Sequence, residues 1–220
     1  MKSLGRTVNP HFQTFFDGVE PRSFQFDFKL SPRNLKEAEK YALEALVLEA
    51  HQQDAQVPYF LATVVYKPQK YWGKVIEMFD EAMKRDPEAM LSQPYQYEGR
   101  IITKMQEQIT IYYISELWYI LYNQAVKDYD ENSTDVEIIE LLELAMHVNP
   151  NNINTYVLLS KTYDSNEQPD LSKDIINKAL KVDSITLSEK ANLCVLWFGQ
   201  IIHLLLFVNI FKYNFNNEYL

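Results

Sequence analysis

Residues 152–184 read NINTYVLLSKTYDSNEQPDLSKDIINKALKVDS, two apolar-periodic runs separated by a polar turn. Tyr156, Leu159, Ser160 and Tyr163 mark one face of the first run, and Ser172, Ile176 and Ala179 one face of the second, ahead of Ser184. Spacings of three and four place each set on one side of a helix. The same grammar occurs upstream at Tyr59, Ala62, Thr63 and Tyr66, then Val75, Phe79, Ala82 and Pro87. A third copy ends on Ile138, Leu142, Ala145 and Pro150, and Pro150 lies 34 positions before Ser184. A period of this length belongs to helix-turn-helix units that stack into a solenoid. The expected fold class is therefore all-α, a helical repeat, which points towards binding rather than catalysis.

The residue types explain the stacking. Small residues, namely Ala82, Ala145 and Ala179 with Thr63 and Ser160, stand where paired helices cross closely. Large ones fill the space between units: Tyr59, Tyr66, Phe79, Leu142, Tyr156, Tyr163 and Ile176. Pro87 and Pro150 end second helices, because proline lacks the amide donor and clashes with the preceding turn. Working outward, the helical region spans about Asn34 to Asp183. A first amphipathic face carries Ala38, Tyr41, Ala42, Ala45 and Leu46, with Asn34 and Glu37 spaced as a capping box. Helices are expected over Val57–Tyr66, Tyr71–Arg85, Val136–Val148, Ile153–Tyr163 and Leu171–Val182. An irregular stretch containing Pro94 and Gly99 is expected to lead into a long helix over about Ile101 to Tyr129, whose Trp118, Leu121, Tyr122 and Ala125 open the middle unit.

Both ends follow other rules, so three segments are expected: 1–33, 34–190 and 191–220. Ser23 to Leu30 alternates strictly, with Phe24, Phe26, Phe28 and Leu30 on one face of a strand. A lone strand or hairpin of this kind needs a mate. At the other end, Ala191 to Phe211 is an apolar stretch interrupted by Asn192, Gly199, Gln200, His203 and Asn209. Its length suffices for a bilayer span. The alternative is a buried repeat helix to about Gln200 followed by an apolar tail. Membrane contact through 191–211 therefore stays open.

Bulk composition narrows the function classes. At 220 residues, with 47% apolar and 23% charged, the chain can bury one sizeable core. Five glycines are too few for a many-turned β fold. A net charge of −9 argues against nucleic acid, whose binding depends on cationic side chains. Cys194 is the only cysteine, so a disulfide within the chain and a cysteine zinc site are excluded. The N-terminus lacks the apolar core of a secretory signal, so Asn132-Ser133-Thr134 reads as a polar turn and the compartment as cytoplasmic.

No arrangement of residues announces chemistry. Gly73-Lys74 lacks the other elements of a phosphate-binding loop, and His11, His51, His147 and His203 have no ligand spacing. Neighbouring acids such as Glu137 and Glu140 read as solvated helix faces. The expectation is a non-enzyme with no cofactor and no metal.

The repeat pattern resembles the tetratricopeptide repeat over about Asn34 to Asp183, with three recognisable units. It departs from the family at Tyr59 with Thr63 and at Tyr156 with Ser160, where tryptophan and glycine are common, and altogether at Met90 to Thr110. The resemblance implies a protein-interaction scaffold whose groove is lined by first helices. Its groove positions fall on Phe60, Val64 and Lys67, on Tyr119 and Asn123, and on Val157 and Lys161; a core role is the alternative for Phe60, Val64 and Val157. The implied partner is a peptide or protein helix. Separately, Val8-Asn9-Pro10, Phe15 to Val19, Arg22 to Phe24, Phe26 to Phe28, Pro32-Arg33 and Glu37-Ala38 are similar to a segment of the tail-tube cap and initiator proteins of contractile-tail phage baseplates. That likeness covers about Leu4 to Lys40 and implies a strand leading into a helix, as an assembly strand or as a remnant.

Overall fold

The computed structural model describes residues 32–131, 135–183, 185–186 and 188–195. The alternating segment 23–30, the resemblance to tail-tube proteins before Pro32, the Asn132 sequon, Ser184 and the tail after Val195 lie outside them. The described chain is mostly helical, with one two-stranded antiparallel sheet. It divides into two compact units between Tyr112 and Tyr113.

In the first unit, α1 (Pro32–Leu46) starts two residues before the expected cap, so Asn34 lies inside its first turn. Proline tolerates a first-turn position because the amide there has no helical partner. Ala38, Ala42 and Ala45 form the buried stripe of α1, and α1 lies against α2 (Gln56–Phe60) and its continuation. Asp54 accepts the amide of Gln56 at 2.9 Å ahead of α2. The helix continues as a π-helical segment, Leu61–Tyr66. There the Thr63 hydroxyl donates back to the Tyr59 carbonyl at 2.8 Å.

Pro68 and a left-handed Lys70 (φ 59°) end this helix, and α3 (Trp72–Arg85) returns against it, burying Val75, Ile76, Met78, Phe79 and Ala82. Arg85 then joins three elements. Its guanidinium donates to the carbonyls of Leu46 and His51 at 3.2 and 2.9 Å, and to Glu81 at 2.8 Å. The terminal carbonyl of α1, at Leu46, thereby receives a charge-assisted donor.

The stretch after Ala89 corrects the all-α expectation. Where an irregular segment and a helix from Ile101 were expected, the chain forms a hairpin of β1 (Met90–Tyr97) and β2 (Arg100–Lys104). Tyr97 pairs with Arg100 across a two-residue loop, Glu98 and Gly99, both at positive φ (47° and 80°). That geometry matches the right-handed twist of antiparallel strands. Ile102 is buried, and the Met105 amide donates to the Ala89 carbonyl at 2.9 Å at the hairpin base. Helix α4 (Met105–Tyr112) begins only there.

The second unit opens with a π-helical segment, Tyr113–Leu117, and α5 (Trp118–Asp130). Helices α6 (Asp135–Val148), α7 (Ile153–Ser165) and α8 (Pro169–Leu180) follow, and residues 188–195 are helical again. Each helix packs on the next through α8, and short connections make neighbours antiparallel. Asn152 caps α7, accepting the Asn154 amide, and Pro169 occupies the first turn of α8. Ala125, Ile138, Leu142, Tyr156, Leu159, Tyr163, Ile176, Ala179 and Leu193 belong to one core. Where α7 and α8 cross, the buried hydroxyls of Ser160 and Ser172 bond each other at 2.8 Å. Two small side chains let the helices approach and satisfy each other's polar atoms.

Candidate interaction surface

The second unit presents the clearest surface, on the helices that stand first in each pair. α5 and α7 touch directly, and the Trp118 indole N–H donates to Thr155 Oγ1 at 2.9 Å in the interior. Trp118 stacks on Tyr122 with ring centres 5.0 Å apart and meets the edge of Tyr119 at 4.8 Å. Trp118, Leu121 and Ala125 point into the core from α5, and Tyr156, Leu159, Ser160 and Tyr163 do so from α7. Phenols on this side are tied inward. Tyr156 donates to the Pro150 carbonyl at 2.8 Å and Tyr163 to Glu143 at 3.3 Å. Burial raises the pKa of Tyr122 and Tyr156, and burial together with the Glu143 carboxylate raises that of Tyr163.

One position beyond the core stripe lies the outward stripe. Tyr119 (55% exposed) and Asn123 are exposed, one turn apart on α5. On α7, Val157 is half-buried against the core and Lys161 is exposed. Helix 188–195 carries the same offset. Leu193 and Cys194 stand 34 positions after Leu159 and Ser160, and Leu193 is buried in the same core. Ala191 and Val195 stand 34 after Val157 and Lys161, and both are exposed, Val195 to 69%. These two positions were missed from sequence, although adding one period to Val157 and Lys161 would have found them. A reciprocal box starts this helix: Thr186 donates its amide and hydroxyl to Glu189, whose amide donates back to Thr186 Oγ1. Those bonds hold the Glu189 carboxyl below its ordinary range.

The first unit places its three expected positions differently. Phe60 is a core residue, 5% exposed, and Val64 is half-buried. The Lys67 ammonium sits 4.1 Å above the ring of Tyr112. Tyr112 in turn meets the edge of Phe79 at 5.7 Å, and Phe79 leans on Tyr59 at 5.7 Å. The Tyr59 hydroxyl donates to Gln108, and burial followed by the neighbouring Tyr95 pushes its pKa well above the ordinary phenol value. Tyr59 and Phe79 are therefore joined to α4 through Gln108 and Tyr112 in one aromatic cluster, with Lys67 over the Tyr112 ring. The structure brings Tyr119 and Asn123 together on one helix, and Val157 and Lys161 on another that touches it. It turns Phe60 inward.

Among the described residues, no group of three or more His, Cys, Asp or Glu side chains is placed to hold a metal ion. No described helix is long and apolar enough to cross a membrane. Neither a protein-family model nor a curated protein matches this chain.

Proposed function

We propose that this chain is a non-catalytic interaction scaffold of tetratricopeptide type, taking a peptide or protein helix on the first-helix face of its second unit. One observation carries this reading. Leu159 and Leu193, 34 positions apart, are buried in one core, while Val157, Lys161, Ala191 and Val195, related by the same offset, stay outside its deepest part. A stripe that is apolar and partly exposed, beside one fully packed, is what a docking face needs. Trp118 and Thr155 support it by fixing α5 against α7 from beneath. Only Lys161 carries a charge among Tyr119, Asn123, Val157, Lys161, Ala191 and Val195, so apolar contact supplies most of the binding.

The test is selection of binders from a displayed library of amphipathic helical peptides against the full chain. Tyr119→Ala and Val195→Asp should each weaken the selected peptides by roughly tenfold or more, as loss of an aromatic anchor or charge in an apolar contact does. Lys161→Glu should weaken only peptides with an acidic residue. Peptides that bind with affinity unchanged in all three variants, at unchanged thermal midpoint, would refute the assignment.

A further inference from the structure

The second unit is electrically lopsided, and the imbalance runs along its helices. Its described residues hold six lysines, no arginine and fourteen carboxylates, whereas residues 32–112 of the first unit hold ten lysines and arginines against twelve carboxylates. α5 and α7 run parallel, because each is antiparallel to α6, and the Trp118–Thr155 bond aligns their starts. Their C-terminal ends therefore lie on one side, together with the starts of α6 and α8. Residues 127–131, 135–137 and 164–170 at this end hold eight carboxylates and one lysine. The opposite end, 113–118, 146–155, 178–183 and 188–190, holds three carboxylates and three lysines.

Helix polarity explains only part of this. Asp135, Glu137 and Asp170 stand in first turns, where the positive end of a helix dipole favours a carboxylate. Asp128, Asp130 and Glu131 at the end of α5, and Asp164 in the last turn of α7, instead meet the negative ends of theirs. Lys127, 3.9 Å from Glu131, is the one basic residue in either last turn. Two of these four acids continue the outward stripe. Asp130 is eleven positions after Tyr119 and seven after Asn123, and Asp164 is seven after Val157, each close to a whole number of helical turns. Asp130 is exposed and Asp164 half-buried. The apolar face thus ends at carboxylates that their own helices disfavour.

We infer that the occupant of this face is a cationic amphipathic helix, with apolar side chains on Tyr119 and Val157 and a lysine- or arginine-rich end over Asp130 and Asp164. The inference rests on the first-helix face being a docking surface and adds the chemistry of what docks there. A positively charged end meets two carboxylates and the negative ends of two helix dipoles at once. The excess negative charge of the unit also draws a cationic partner in from a distance, an attraction that salt screens. An acidic helix with the same apolar side meets repulsion at the same place.

Two synthetic helical peptides with the same apolar face, one with lysine and one with glutamate at every polar position, test this by fluorescence anisotropy against the full chain. At about 50 mM salt the lysine peptide should bind roughly tenfold tighter or more, and lose about tenfold in affinity by about 500 mM. Asp130→Asn combined with Asp164→Asn should weaken it roughly threefold to tenfold at unchanged circular dichroism. Glu140→Gln combined with Asp174→Asn makes the same change of net charge on exposed positions of the second helices, and should weaken it less than about twofold. Tyr119→Ala should weaken it as well. Equal binding of the two peptides, or an Asp130–Asp164 double variant that binds no more weakly than the control, overturns the charge assignment; if Tyr119→Ala still weakens binding there, the docking face itself stands. Binding of both peptides that is indifferent to Tyr119→Ala refutes the face, and this inference with it.

Discussion

The buried bond between Trp118 and Thr155 is the most direct place to test how the second unit holds its outward face. Thr155 is fully buried at the start of α7, and its hydroxyl receives the indole N–H of Trp118 at 2.9 Å from the start of α5. Thr155→Val keeps the shape and removes the acceptor, which leaves a buried indole donor unpaired. Such a group costs about 1–3 kcal/mol. Trp118→Phe removes the donor and also several ring atoms from a site only 5% exposed, so it adds a cavity penalty and should cost about 3 kcal/mol. In the double variant no orphan donor remains. The two effects should therefore fall short of additivity by about 1 kcal/mol or more. For a chain of this size, a loss of 2 kcal/mol lowers the thermal midpoint by roughly 4–8 °C. Urea unfolding by far-ultraviolet circular dichroism measures the cycle, and hydrogen exchange of α7 amides assigns it to the second unit. Strict additivity, or Thr155→Val within about 0.5 kcal/mol of wild type, would show that the bond contributes nothing.

Three further outcomes follow from the same geometry. Leu142→Ala, at a fully buried position of α6, should cost about 3–5 kcal/mol in chemical denaturation, and a cost below about 1 kcal/mol would mean that the core is not closed there. Gly99→Ala meets no atom within 4 Å of the added Cβ, so its cost is conformational alone, about 1 kcal/mol from φ 80°, read as faster exchange in residues 95–102. The folded phenols of Tyr59, Tyr66, Tyr122, Tyr156 and Tyr163 titrate above the ordinary value of 10.0, so the folded state holds protons that the unfolded state releases. Their contribution is complete below pH 10 and falls as pH rises past it; a thermal midpoint that holds or rises between pH 9.5 and about pH 11.5 would contradict this sign.

Much of the helical fold was legible because the apolar period is a local signal. Val75, Phe79 and Ala82, or Ser172, Ile176 and Ala179, lie on one side of any helix built from those residues, and all six are buried. Helix ends were legible to within two residues wherever proline or a polar cap marked them, as at Asn152. The hairpin was not read, although Tyr95-Gln96-Tyr97 alternates and Glu98-Gly99 follows it as a turn signal. Pro94 and the neighbouring helical pattern outweighed a signal only a few residues long.

The helices on either side of the hairpin thus carried their apolar faces in the spacing of apolar and small side chains, since a helix needs only its own backbone bonds and an apolar face. Which of the outward positions are exposed was decided by tertiary structure. Phe60 and Tyr119 were both expected on the groove, yet one is buried and the other is open, because exposure depends on what each unit packs alongside that helix. Long-range contacts likewise drew Lys67 onto Tyr112, tied Trp118 to Thr155 across 37 positions, and brought Leu193 into the core of α7. No local pattern encodes such partners, because they exist only once distant segments have met.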